Sequence, residues 1–244
     1  MPVAIITGAS RGLGRALAAE LARRGWQLVL DGRDAAALRT AAAGLERTAA
    51  ESAGGGAAAA VRAVPGDVTD PAHRVALVAA ARALGGVDLL VNNASALGAE
   101  PLVPLAALPL AGLRAAFEVN VAAPLALVQE ALPALRAVGG AVLNVSSDAA
   151  VEAYQDWGGY GASKAALDQL SAVLAVEEPG LRVWWVDPGD LRTALYAAAV
   201  PGDPDFAGRA LPEEVAPALL RLLDEGDEGA ASGRYTASSL RGGR

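Results

Sequence analysis

No cysteine occurs in the sequence, and there is a single histidine, His73. The first absence excludes a disulfide scaffold, thiolate zinc sites and cysteine catalysis, and it suits a reducing compartment. The second excludes a histidine-cluster metal site and any Ser-His-Asp triad that does not use His73, so no metal is expected. His73 sits in Asp70-Pro71-Ala72-His73-Arg74, which reads as the polar first turn of a helix and places the ring on the surface. Basic residues are the minority, 20 Lys+Arg against 27 Asp+Glu, and they are scattered. A nucleic-acid binder needs a basic stripe, so that class is excluded. Charges, glycines or prolines interrupt every apolar run, so no membrane span is expected. The first residues, a strand running into a glycine turn, carry neither a basic n-region nor a cleavage site, and the expected location is cytoplasmic.

Short apolar runs alternate with longer helical stretches almost from end to end. Residues 3–6, 27–30, 60–64, 87–91, 141–145 and 181–186 read as buried strands. Residues 11–24, 34–52, 71–84, 108–138 and 160–177 carry helical spacing and helix formers. This alternation predicts a single α/β domain over residues 1–244, with a doubly wound, mostly parallel, Rossmann-like sheet and helices on both faces. Residues 52–57 read as a flexible connection. The Pro/Gly break at 200–205 predicts an irregular lobe over 190–212 on the substrate side. The segment from Gly233 to Ser238 is a weak strand candidate, and residues 239–244 read as a disordered tail.

Two local patterns carry chemistry. Thr7-Gly8-Ala9-Ser10-Arg11-Gly12-Leu13-Gly14 follows the first strand and opens the first helix. Glycines there let backbone N–H groups approach a pyrophosphate, and the helix adds its positive end. Tyr160-Gly161-Ala162-Ser163-Lys164 places a phenol and an ammonium on one helix face. A free tyrosine titrates near pH 10, too high for proton transfer at neutrality, and a neighbouring ammonium favours the phenolate. The pair therefore reads as a tuned acid/base.

The glycine spacing T-G-x-x-x-G-x-G, together with Y-x-x-x-K, resembles the roughly 250-residue branch of the short-chain dehydrogenase/reductase family. The resemblance runs from residue 3 to about residue 225. It implies that Gly8, Ser10, Arg11, Gly12, Leu13 and Gly14 cradle a dinucleotide, and that Asp67 and Val68 contact its adenine. It further implies cofactor contacts from Asn93 and Ala94, where Ser95 stands in place of the family's usual glycine, and from Pro188, Gly189 and Thr193 on the nicotinamide side. Tyr160 and Lys164 then serve both cofactor and chemistry. Ser147, thirteen residues before Tyr160, is implied to polarise the substrate oxygen, with its neighbour Ser146 pointing to the other face. Asn120 is implied to help hold a water that relays protons to Lys164.

The implied reaction is hydride transfer between a nicotinamide and a small carbonyl or alcohol substrate. Alignment to the family puts the NAD-selecting acidic position on Gly32, with Arg33 beside it and Arg11 nearby, which suits the 2′-phosphate of NADP(H). Asp31, one residue away, keeps NAD(H) as the alternative. Tyr154 and Trp157 read equally well as pocket walls or as loop packing. Trp184 and Trp185 in the sixth strand read as core. The weak terminal strand argues against the family's tetramer and leaves a dimer through helices 108–138 and 160–177. The rival readings are an NAD-dependent alcohol dehydrogenase, an epimerase or dehydratase, and a non-catalytic dinucleotide-sensing regulator. The presence of Asn120, Ser147, Tyr160 and Lys164 disfavours the regulator.

Overall fold

Seven strands form one parallel sheet in a computed structural model that describes residues 1–224 and 230–242. The strands are β1 (Val3–Ile6), β2 (Gln27–Gly32), β3 (Val61–Pro65), β4 (Leu89–Asn92), β5 (Ala141–Val145), β6 (Arg182–Asp187) and β7 (Gly233–Thr236). Their order across the sheet is β3-β2-β1-β4-β5-β6-β7. The chain leaves β1 toward β2 on one side and returns to add β4 on the other. A crevice therefore opens at the carboxyl ends of β1 and β4, where open α/β sheets receive their ligands.

Alternation along the strands divides the core into two layers. Ala4 and Ile6 of β1 face one layer with Leu28, Leu30, Leu89, Leu143 and Trp184. Helices α1 (Gly12–Arg23), α2 (Ala35–Ser52) and α8 (Pro212–Leu219) cover that layer with Leu17, Leu21, Leu38 and Leu219. Val3 and Ile5 face the other layer with Val29, Leu90, Val142 and Val183. There α3 (Pro71–Leu84) and α5 (Ala123–Val138) supply Leu77, Leu127 and Leu135. Each fully buried leucine is worth about 1.5–3 kcal/mol relative to exposure. Trp184 is fully buried and its indole N–H donates to Ala230 O at 3.1 Å, while Trp185 on the opposite face is half-buried.

Element starts follow their capping chemistry. Asp34 accepts from the amides of Ala36 and Ala37 before α2, and Asp70 accepts from Ala72 with Pro71 opening α3. The stretch 108–138, read as one helix, is α4 (Leu110–Phe117) and α5 joined by a π-helical turn, Glu118–Ala122. Leu110–Val138 also corrects the expectation about spans, since its 29 residues are long and apolar enough to cross a membrane by length and composition. In this fold its buried stripe, Ala123, Leu127, Ala131 and Leu135, packs on the sheet and α3.

The remaining helices are α6 (Gly158–Glu177), α7 (Ala194–Ala199) and α9 (Ala237–Gly242). The 190–212 segment holds α7 and a 3-10 turn at Phe206–Gly208, tied back by a bridge between Leu191 and Ala210. The weak terminal strand is a full member of the sheet, with Trp184 to Asp187 pairing Gly233 to Thr236. Of the tail expected to be disordered, residues 239–242 lie in α9, and 243–244 fall outside the described residues.

Candidate active site

The glycine loop is strapped to the end of β4. Thr7 Oγ1 accepts from the amides of Asn93 (2.9 Å) and Ala94 (3.0 Å), and Asn93 Nδ2 donates to Thr7 O at 2.9 Å. Gly8 and Gly12 take φ of +63° and +56°, which side chains disfavour. A Cβ on Gly14 would lie 2.5 Å from both Gly8 O and Asn93 Nδ2. This is a cradle closed to side chains on the inside, with the amino end of α1 beneath it, and it fits a dinucleotide pyrophosphate. Leu13 and Val68 are buried in the core, so their side chains are not available to a ligand in the cradle. From the far side, Thr193 Cγ2 comes within 3.6 Å of where a Cβ on Gly12 would stand, so the 188–193 segment closes over the loop. Gly189 there has φ +72°, and its amide donates to Asp187.

At the end of β2 the structure corrects the reading of His73. Its ring is 8% exposed, and Nε2 lies 2.6 Å from Asp31 Oδ1. The other Asp31 oxygen accepts from the Gly8 amide at 3.2 Å. The ring turns inward because Gly66 makes room, since a Cβ there would sit 2.3 Å from His73 Nδ1. Asp31, at 2% exposure, is thus committed to the interior. Gly32 follows it with Ser10 packed close, and Arg33 and Arg11 are exposed. Asp34 and Asp67 lie within their field, yet each is held chiefly by backbone amides, those of Ala37 and Ala36 and that of Thr69, which keep both carboxyls below the usual range.

The proton-handling group stands at the start of α6, beside the end of β5. Tyr160 is buried, its ring in edge contact with Trp157 at 5.7 Å between centroids. Leu97, Ala149 and Ala199 complete an apolar wall around it. Trp157 therefore belongs to the wall, whereas Tyr154 stands at an exposed rim with its hydroxyl on Glu152 and Asp148. Burial pushes the Tyr160 hydroxyl up to about 12; a hydrogen bond with Ser95 opposes this, the charges of Asp148 and Asp187 add to it, and Ser147 opposes it. The lowering by an ammonium that the sequence predicts is not what governs this hydroxyl. Lys164 Nζ lies 5.6 Å from the ring centroid and donates to Val145 O at 2.8 Å. Burial brings the lysine down to about 8, and the Asp168 charge opposes that fall.

Ser147 and Ser146 diverge as strand alternation requires. Ser147 faces Tyr160, and in this structure its hydroxyl donates to Asp148 Oδ1 at 2.9 Å. Ser146 turns inward to donate to Asp168. Asn120, fully buried on the π turn, spends its side chain on the protein. Oδ1 accepts from Ala96 N (2.8 Å) and Ser95 Oγ (3.2 Å), and Nδ2 donates to Ala96 O (2.8 Å) and Ser163 Oγ (2.9 Å). The water-holding role implied for it therefore does not fall to its side chain, which instead fixes the loop after β4 against α6. Below it, Asn92 donates to Asn144 and Asn144 to Ser171, a buried ladder that ties β4, β5 and α6. A cleft of about 530 Å³ adjoins the site, lined by Asp187, Gly189, Asp190, Thr236 and Arg241.

A family model described as short chain dehydrogenase matches residues 2–203. The chain is 36% identical over 259 residues to the cis-4-hydroxycyclohexanecarboxylate dehydrogenase of Sinomonas cyclohexanicum, covering 96% of each chain. It is 36% identical over 208 residues to the sepiapterin reductase of Mus musculus, covering 81% of this chain and 77% of that one. Among solved structures, an alcohol dehydrogenase from Thermococcus sibiricus complexed with 5-hydroxy-NADP superposes with a TM-score of 0.84 at 28% identity, over 97% and 95% of the two chains. A short chain dehydrogenase from Shigella flexneri complexed with NADP does so with a TM-score of 0.85 at 27% identity, over 97% of each. Fold, cradle and the Tyr160–Lys164 helix define a nicotinamide-dependent class of oxidoreductase. The chain belongs to the short-chain dehydrogenase/reductase family.

Proposed function

We propose that this protein reduces a carbonyl substrate, or oxidises the matching alcohol, with NADP(H), and that Tyr160 is its general acid/base. The observation that carries the reading is the buried Tyr160 hydroxyl beside Ser147, walled by apolar side chains, with Lys164 one helical turn along. A bound nicotinamide would supply or accept the hydride. A phenol pushed up to about 12 is fully protonated at neutral pH, the state a general acid needs in the reductive direction. Ser147 turns its hydroxyl hydrogen from Asp148 to the substrate oxygen and stabilises the charge that builds there. Trp157, Leu97 and Ala149 exclude water from the proton transfer.

The choice of NADP(H) is supported by the buried Asp31, which presents no carboxylate to a ribose, and by Arg11 and Arg33 at the surface beside Gly32. Two structural neighbours were solved with NADP or a derivative of it. The same reading includes a homodimer through α5 and α6, whose Leu125, Val173 and Val176 are exposed. The deciding experiment is a panel of aldehydes and ketones assayed by NADPH and NADH oxidation. Turnover with NADPH supports the reading, and cofactor binding without turnover of any carbonyl would identify a regulator instead.

A further inference from the structure

Three consecutive residues at the end of β5 are each held by a charged side chain. Lys164 Nζ holds Val145 O at 2.8 Å. Asp168 accepts from Ser146 Oγ. Arg234 Nη2 donates to Ser147 O at 2.9 Å while its Nε donates to Asp168 Oδ2 at 3.1 Å. Arg234 reaches the site from β7, the strand the sequence showed only weakly, and Asp168 follows Lys164 by one turn of α6. Neither residue belongs to the motifs read from the sequence.

Resting on the oxidoreductase reading above, we propose that Asp168 and Arg234 are a positioning pair, which fixes the strand end that presents Ser147 and gives Lys164 its counter-charge. A strand end pinned only by its ladder has freedom at its last carbonyl, and the Ser147 hydroxyl follows that carbonyl. Arg234 removes the freedom with a charge-assisted hydrogen bond, and Asp168 holds Arg234 in place. The charged and titratable groups around Lys164 are few. Tyr160 and Asp168 share its helix, Asp187 of β6 and Asp148 of the turn after β5 face Tyr160, and Arg234 acts through Asp168. Asp168 is buried, which raises its carboxyl, and Ser146, Arg234 and Lys164 oppose that rise. Removing Asp168 strips Lys164 of its anion. Removing Arg234 leaves Lys164 as the one cation near that anion.

Lys164 is the only lysine in the sequence, so labelling with [ε-13C]lysine gives one side-chain signal in the full-length protein. Its titration can be followed without any substrate. Asp168→Asn should move the lysine midpoint to lower pH by at least about half a unit, and Arg234→Met should move it to higher pH. Shifts in opposite directions are what a charge pair produces and what general loosening does not. An unmoved midpoint in either folded variant, or movement of both the same way, overturns the proposal. If Asp168→Asn does not fold, the sign of the Arg234→Met shift decides alone. With a substrate from the carbonyl panel, Arg234→Met should lower kcat about tenfold with KM for NADPH near wild type, and Arg234→Lys should recover part of it. Unchanged kcat in Arg234→Met also overturns the pair. A panel without turnover would count against the oxidoreductase reading, while the lysine titration would still decide the pair.

Discussion

Asp31 Oδ1 and His73 Nε2 are 2.6 Å apart in the interior, and the second oxygen of the same carboxylate holds the amide of Gly8. One side chain thus joins the end of β2, the start of α3 and the first glycine of the cradle. On the NADP(H) reading proposed above, the acid at the end of β2 is occupied with the fold, so cofactor choice is left to groups that point outward.

Cofactor preference tests this first. NADPH should bind at least about tenfold more tightly than NADH, a difference of roughly 1.4 kcal/mol. Arg33→Ala should remove most of that difference, as calorimetric titration with each cofactor would measure. Equal affinities in the wild type would overturn the NADP(H) assignment and point to Asp31 as a ribose ligand.

The cradle makes a steric prediction. Gly14→Ala places a methyl 2.5 Å from Gly8 O, against backbone that has no room to yield. Cofactor affinity should fall at least about tenfold, because the loop must shift away from α1. Gly180→Ala, with nothing near its added carbon, is the control and should bind as wild type. Equal binding by the two variants would reduce the loop to an ordinary turn.

Proton transfer is tested at the hydroxyl and at a charge near it. Tyr160→Phe keeps the ring in its wall and should lose on the order of 100-fold or more in turnover while still binding NADPH. Asp148 raises Tyr160, so Asp148→Asn should lower it. In the reductive direction activity falls as pH rises through the tyrosine, and this fall should begin at lower pH in Asp148→Asn. Steady-state NADPH oxidation against pH measures both, and an alkaline limb that stays in place would remove Asp148 from the account.

Lys164 connects the site to stability. Its pKa is about 8 folded against an ordinary 10.5, so the unfolded chain binds the extra proton between those values. Stability should therefore rise with pH from about 8 toward 10.5, relieving a cost that is fully present below 8. By linkage the wild type should gain about 2–3 kcal/mol relative to Lys164→Met between pH 7 and pH 10. Denaturant unfolding of both proteins at the two pH values checks this, and parallel behaviour would mean the ammonium is not desolvated.

Much of this was legible in the sequence because periodicity and spacing are local. The alternation of strands and helices predicted the parallel sheet, and Thr7 to Gly14 and Tyr160 to Lys164 stand where those patterns placed them. What was hidden depends on distant partners. His73 reads as a surface residue until Gly66, seven residues earlier, is seen to open a space for its ring. Asp168 and Arg234 are 66 residues apart and meet only because β7 joins the sheet beside β6. Asn120 stood out in the sequence through the family resemblance, but its four bonds required the π turn. The departure at Ser95 was visible, whereas its hydrogen bonds to Asn120 and Tyr160 were not.

The solitary lysine has a practical side. With Lys164 2% exposed against the sheet, the side chains of the described surface carry their positive charge on guanidinium groups, and the exposed amine is that of Met1. Reagents that acylate amines, and aldehydes that condense with them, meet no lysine side chain on the folded surface. Covalent labelling of Lys164 is therefore a gauge of opening, and its rate would report how often α6 parts from β5.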